Sequence, residues 1–146
     1  TLLDSQVSLP DDEIAGFNLP NIQAPMTTRD MTNAPEYLYN LYTTYDVPNT
    51  GTQLALFYTV VGDTLVTGAG QSNGNFVPSI YAKEYGTLNF TLSQRLGRYC
   101  KLSFQAKNLT NPAIEEVYRS EYIAGDVTRT SYTKGIDFSL SLSIKF

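Results

Sequence analysis

The stretch DFSLSLSIKF, residues 137–146, alternates without a break. Phe138, Leu140, Leu142, Ile144 and Phe146 are apolar, and Ser139, Ser141, Ser143 and Lys145 are polar. Successive side chains of a strand point to opposite faces, so this period of two spells a strand with one apolar and one wet face. Which surface does such a strand meet when it carries five large apolar residues and ends on an aromatic ring?

The same pattern recurs upstream. In EYLYNLYTTYDV (36–47), Tyr37, Tyr39, Leu41, Thr43, Tyr45 and Val47 share a face. In TQLALFYTVV (52–61), Leu54, Leu56, Tyr58 and Val60 share one, while Phe57 and Val61 fall on the other. KEYGTLNFTLSQRL (83–96) sets Leu88, Phe90 and Leu92 against Asn89, Thr91 and Ser93. YCKLSFQAKNL (99–109) sets Leu102, Phe104 and Ala106 against Lys101, Ser103, Gln105 and Lys107. PNTG (48–51) and Gly97-Arg98 read as tight turns. Residues 1–34 read as an irregular segment, with a short strand near Val7 and Leu9 and proline, Asp, Asn and Thr clusters after it. Residues 62–81, rich in Gly and Asn, and 110–133 read as long excursions, the second with strand extensions on either side of Ala124-Gly125-Asp126. The fold class expected is therefore all-β, an antiparallel meander of five to six strands within 35–146. No helix of useful length is expected.

Composition narrows the function classes. The chain has 146 residues, a net charge of −4, no His, no Trp, 11 Tyr and one Cys. Only 16% of residues are charged, against about 25% in ordinary globular domains. The acidic balance leaves no basic stripe for nucleic acid, which excludes that partner. No apolar run is long enough for a transmembrane helix. TLLDSQVSLP at the N-terminus lacks the basic and apolar regions of a signal peptide.

Short turns alternate with long excursions, and the clean strands approach the nine to eleven residues, roughly, that cross a bilayer core as a tilted strand. That combination is the pattern of an outer-membrane barrel. Tyr37, Tyr81, Tyr85, Tyr118, Tyr122 and Tyr132 fall at the long-loop ends of strands, and Tyr45 and Tyr99 near the short turns, as aromatic girdles would. Tyr is also simply a common strand residue. On residues alone two readings stand: a membrane barrel, or a soluble β-sandwich or small barrel that binds a ligand through its loops.

Three stretches resemble the C-terminal part of TonB-dependent outer-membrane receptors. GTQLALFYTVVGDTL (51–65) is similar to a strand leading into an extracellular loop. KNLTNP (107–112) resembles the Asn-Leu signature at which a strand leaves the membrane. TKGIDFSLSLSIKF (133–146) resembles the terminal strand. The resemblance covers roughly residues 34–146 and implies part of a large transmembrane β-barrel in the cell outer membrane. It implies uptake of a scarce nutrient (an iron chelate, a vitamin or a glycan) and contact with outer-membrane lipid. It further implies coupling, through an N-terminal part not in this sequence, to an inner-membrane energy complex. Phe146 would belong to the assembly signal read by the barrel-assembly machinery. The sequence holds no plug domain and no energy-coupling box, and its strands are too few for a barrel of roughly 22. A fragment of such a receptor is therefore expected, with residues 1–34 an extracellular loop after a preceding strand.

Leu88, Phe90, Leu92, Leu102, Phe104, Leu140 and Leu142 are expected to face lipid, and Asn89, Ser103, Gln105 and Ser141 the lumen. Catalysis is not expected, because the usual nucleophile–His arrangements need a His. Cys100 reads as a small packing residue. Glu115 and Glu116, adjacent on an extended segment, point apart. Asp11, Asp12 and Glu13 offer oxygen ligands but read as a solvated cluster. The Gly-rich stretch 68–76 lacks the Lys and the helix of a phosphate loop. The Asn89 and Asn108 sequons lie in strands and read as structural. Arg119 and Arg129, with Tyr122, are the candidate ligand-binding residues. Their competing reading is cross-strand pairing with Glu115, Glu116 or Glu121. No cofactor or metal is expected.

Overall fold

A computed structural model describes residues 1–3 and 5–145. Phe146, the expected assembly signal, lies outside the described residues. In chain order the elements are β1 (Gln6–Ser8), α1 (Asp11–Phe17), β2 (Thr28–Asp30), β3 (Leu38–Val47), β4 (Thr52–Val61), β5 (Thr64–Thr67), β6 (Gly70–Ser72), β7 (Asn75–Val77), β8 (Ser79–Ala82), β9 (Tyr85–Leu96), β10 (Cys100–Lys107), β11 (Ile114–Arg119), β12 (Val127–Tyr132) and β13 (Asp137–Ile144). The fold is all-β, with one short helix, and each ladder with a described register is antiparallel. The chain divides into two compact units.

One unit comprises Tyr39–Val60, Tyr85–Ala113 and Thr133–Phe146. Its sheet has the order β13-β10-β9-β4-β3 and is a meander of the five strands whose alternation is clean. Phe104 pairs with Leu140 on one side and Leu92 on the other, and Leu102 pairs with Leu142. Directly opposed residues share a face, so these side chains, with Phe90, Phe138 and Ile144, form one apolar face. Phe104 and Phe138 stack with centroids 6.1 Å apart. The polar positions pair among themselves: Ser103 with Ser93 and Ser141, and Gln105 with Thr91 and Ser139. Tyr42 and Phe57, each on the face opposite its strand's apolar row, meet each other, rings 4.5 Å apart.

Among the described residues this face is partly covered on β9 and β10 and open on β13. Phe138, Leu140, Leu142 and Ile144 are 61%, 70%, 59% and 53% exposed. Among the described residues of this unit, Ala106 is the only buried apolar one. The sheet does not close on itself, since β3 and β13 lie at opposite ends of its order.

The other unit comprises Thr1–Leu38, Val61–Glu84 and Ile114–Tyr132. It holds a four-stranded sheet, β12-β11-β8-β5, and the two-stranded pairs β1-β2 and β6-β7. It has a small core: Leu9, Phe17, Ile22, Ala24, Leu65 and Val117 are buried.

Here the structure corrects the reading from sequence. Residues 1–34 are only partly irregular. The short strand expected near Val7 is β1; its partner β2 and a helix, α1, were not expected. Pro10 precedes the helix and Asp11, Asp12 and Glu13 fill its first turn, where acidic side chains meet the positive end of the helix dipole. The acidic trio was a helix-start signal. Its partner is burial: Phe17 on α1 packs edge-on against Phe76, centroids 6.3 Å apart. Residues 62–81 are not a loop either, but β5 to β8. Asn73 and Gly74, both at positive φ, make the two-residue turn between β6 and β7 that Asn-Gly favours. The excursion 110–133 holds the β11-β12 hairpin around residues 120–126, with a bulge at Glu116/Val117. The count therefore exceeds five to six strands. The long strands are five; the additional ones are short.

Candidate functional site

The helix-bearing unit contains a cavity of about 390 Å³. Its walls come from β1, from β2 and the residues before it, from β8, and from the end of β11 and the residues after it. They include Gln6, Arg29, Asp30, Tyr81, Arg119 and Tyr122.

Arg119, the last residue of β11, anchors the wall. Its Nε and Nη2 donate to the two carboxylate oxygens of Asp126, at 2.8 and 2.7 Å. Nη2 also lies 2.8 Å from Asp63 Oδ2. Asp63 Oδ1 in turn accepts from the Glu84 backbone N–H at 2.7 Å. A bidentate guanidinium–carboxylate pair fixes both partners in one plane, so Arg119 ties the start of β12 to the segment between β4 and β5. Hydrogen bonding to Asp126 pushes the guanidinium pKa further up, and the same bond holds the Asp126 carboxyl below its ordinary value.

The Arg119 guanidinium also sits 4.8 Å above the centre of the Tyr81 ring, a cation–π contact. The Tyr81 hydroxyl donates to Asp30 Oδ2 at 2.8 Å. Burial, then the bond to Asp30, pushes the Tyr81 phenol up, so it stays a neutral donor. On the same strand the buried Ser79 accepts from the Ala69 N–H at 2.9 Å.

Tyr122 stands at the rim. Its hydroxyl donates to the Pro25 carbonyl at 3.1 Å, and its ring meets Phe76 edge-to-face at 5.9 Å. These contacts fix the ring's position while leaving the residue 47% exposed. Arg29 lies 3.6 Å from Glu13.

Of the residues singled out from sequence, the structure brings Arg119 and Tyr122 to this cavity. Arg129 is not among its walls. On β12 it pairs with Glu116 at 2.5 Å, the cross-strand contact expected of a structural charge. Arg119 is also paired, with Asp126 and Asp63 rather than with a glutamate. Glu115 takes a hydrogen bond from Ser131 at 3.2 Å, so the two adjacent glutamates have different partners. Sequence reasoning missed Arg29, Asp30 and Tyr81 as site residues. Tyr81 is far in the chain from the adjacent Arg29 and Asp30, and no local spacing joins them. Among the described residues no cluster of His, Cys, Asp or Glu is arranged to hold a metal ion, and no helix is long and apolar enough to cross a membrane, which says nothing of strands.

Compared with protein-family models, curated proteins and solved structures, the chain matches none.

Proposed function

We propose that this chain is part of an outer-membrane TonB-dependent receptor that takes up a scarce nutrient. The role is transport, without catalysis. The five long strands would be staves of a large barrel, with their apolar face against outer-membrane lipid. The strands and hairpins between them would stand on the extracellular side with the cavity. The barrel-assembly machinery would insert the chain, with Phe146 in its signal. An inner-membrane energy complex would drive import through the rest of the receptor.

One observation carries the reading: a continuous apolar sheet face with Leu140 and Leu142 more than half exposed. In water such a face, if larger than a few hundred Å², normally finds a partner. In a bilayer, lipid is that partner, and the opposite row of Ser, Gln and Lys suits a hydrated lumen. A soluble sandwich or small-barrel module would need a second apolar layer on this face.

The test compares neighbouring positions of β13 in the full-length protein. Leu140→Arg should cost about 2–4 kcal/mol if it lies near the bilayer midplane, and Ser141→Arg much less. Reversible folding into vesicles measures both. Equal costs would remove lipid from the Leu140 side.

A further inference from the structure

We infer that the cavity between β2, β8 and the Tyr122 rim binds the end of a neutral, polyhydroxylated ligand, a saccharide rather than an anionic chelate. The inference rests on the receptor reading for where the site would be used, but not for whether it binds.

The volume comes first. About 390 Å³ lies at the small end of the range for small-molecule sites, roughly 300–1,000 Å³. It suits a terminal sugar unit better than a whole bulky chelate.

Charge comes second. An anionic ligand needs a cation that is not already neutralised. Arg119 faces two carboxylates, Asp126 and Asp63. Arg29 has Glu13 at 3.6 Å. Glu121 also lines the cavity. An incoming carboxylate or phosphate would meet Asp30 and Glu121 as well as Arg29, so the wall offers it little net attraction.

Donor and acceptor chemistry comes third. Gln6, Arg29 and Asp30 offer amide, guanidinium and carboxylate groups along one wall. A sugar hydroxyl both donates and accepts, so it can answer such a mixed wall, whereas an ion answers one sign only.

The ring comes last. Tyr122 is held by Pro25 and Phe76 but keeps about half its surface exposed. A fixed ring face packs against the apolar C–H face of a sugar ring at little cost in side-chain ordering.

The test uses the full-length protein in detergent micelles. It is titrated by calorimetry with cellobiose and maltose as neutral probes and digalacturonate as the anionic one. At least one neutral disaccharide should bind, and more tightly than digalacturonate. Tyr122→Ala should weaken binding by about tenfold, as expected for loss of an aromatic platform. Tyr122→Phe keeps the ring but loses the bond to the Pro25 carbonyl, so it should weaken binding less than Tyr122→Ala, which separates loss of the platform from loss of fold. Arg129→Ala, away from the cavity, should leave affinity unchanged. Tighter binding of digalacturonate, no binding of either neutral probe to folded protein, or full affinity in Tyr122→Ala would each overturn the inference. Failure of the receptor reading shows elsewhere: protein that binds cellobiose but does not insert into membranes keeps the site and loses the receptor. Protein that inserts but binds neither sugar does the reverse.

Discussion

At the scale of the residue, KNLTNP shows how a motif can be a joint rather than a site. Asn108 and Asn111 both have positive φ, 58° and 41°. Asn is among the few residues that tolerate this region. The Asn108 Nδ2 donates to the Gly135 carbonyl at 2.6 Å, and its own N–H donates to Asn89 Oδ1 at 2.9 Å. Thr110 Oγ1 donates to the Gly86 carbonyl at 2.7 Å, and Asn111 Oδ1 accepts from the Gly135 N–H at 2.9 Å. Asn108, Thr110 and Asn111, just after β10, thus clamp the start of β9 and the approach to β13. Asn89 and Asn108, read from their sequons as structural, are both spent in this clamp. Asn108→Ala loses the bond to Gly135 and puts a Cβ-bearing aliphatic residue in the left-handed region. It should cost about 2 kcal/mol. Asn108→Gly keeps the backbone at ease and should cost less. Urea unfolding of the two variants checks this, and equal losses would mean that the backbone conformation contributes nothing.

At the scale of the element, the β11-β12 hairpin is held at its turn end by Arg119 and Asp126. The Asp126 carboxyl is held below its ordinary value by Arg119. The proton balance follows from that direction. The unfolded chain binds the proton first as pH falls, so the stability from this pair is fully present above the ordinary carboxylate value near 4. It is lost as pH drops from there through the depressed folded value. In Asp126→Asn the hairpin should be weaker at neutral pH, by about 1 kcal/mol for a partly exposed bidentate pair, and less sensitive to acid below pH 4. Hydrogen exchange of β11 and β12 amides across that range measures it; the same acid slope in variant and parent would sink the idea. Elements were legible from sequence in proportion to their length. β9, β10 and β13 are eight to twelve residues long, enough for a period of two to declare itself. β6 and β7 have three residues each, too few for any period, and only Asn73-Gly74 marked their hairpin. The site was legible only at Arg119 and Tyr122, which lie just before a recognisable turn. Arg29, Asp30 and Tyr81 reach the cavity through pairing across the chain, which no local pattern encodes.

At the scale of the whole molecule, the two larger sheets have matching orders. β4, β9, β10 and β13 are neighbours in one, and β5, β8, β11 and β12, in the same sequence of turns, are neighbours in the other. Each long strand after β3 is joined along the chain to one member of the second set by a connection of at most six residues. The alternating faces and the meander were legible; this repeated order was not, because β5 and β8 were read as part of one long loop and β11 and β12 only as extensions around a turn. Its consequence concerns the order of assembly. Lys107 and Asp137 pair across thirty positions of chain, whereas Tyr118 and Val127 pair across nine. Closing the shorter loop first saves about 1 kcal/mol of chain entropy for the first contact, and leaves β10 and β13 tethered for pairing. The hairpins would then work as zips, each drawing a pair of long strands into register from one end. Val117, fully buried on β11, is the place to jam one. Val117→Ala should slow the protection of β13 amides during refolding into vesicles, measured by pulsed hydrogen exchange, while β9 amides paired to β10 keep their rate. If β13 is protected as fast in the variant as in the parent, the long ladder forms without its hairpin's help.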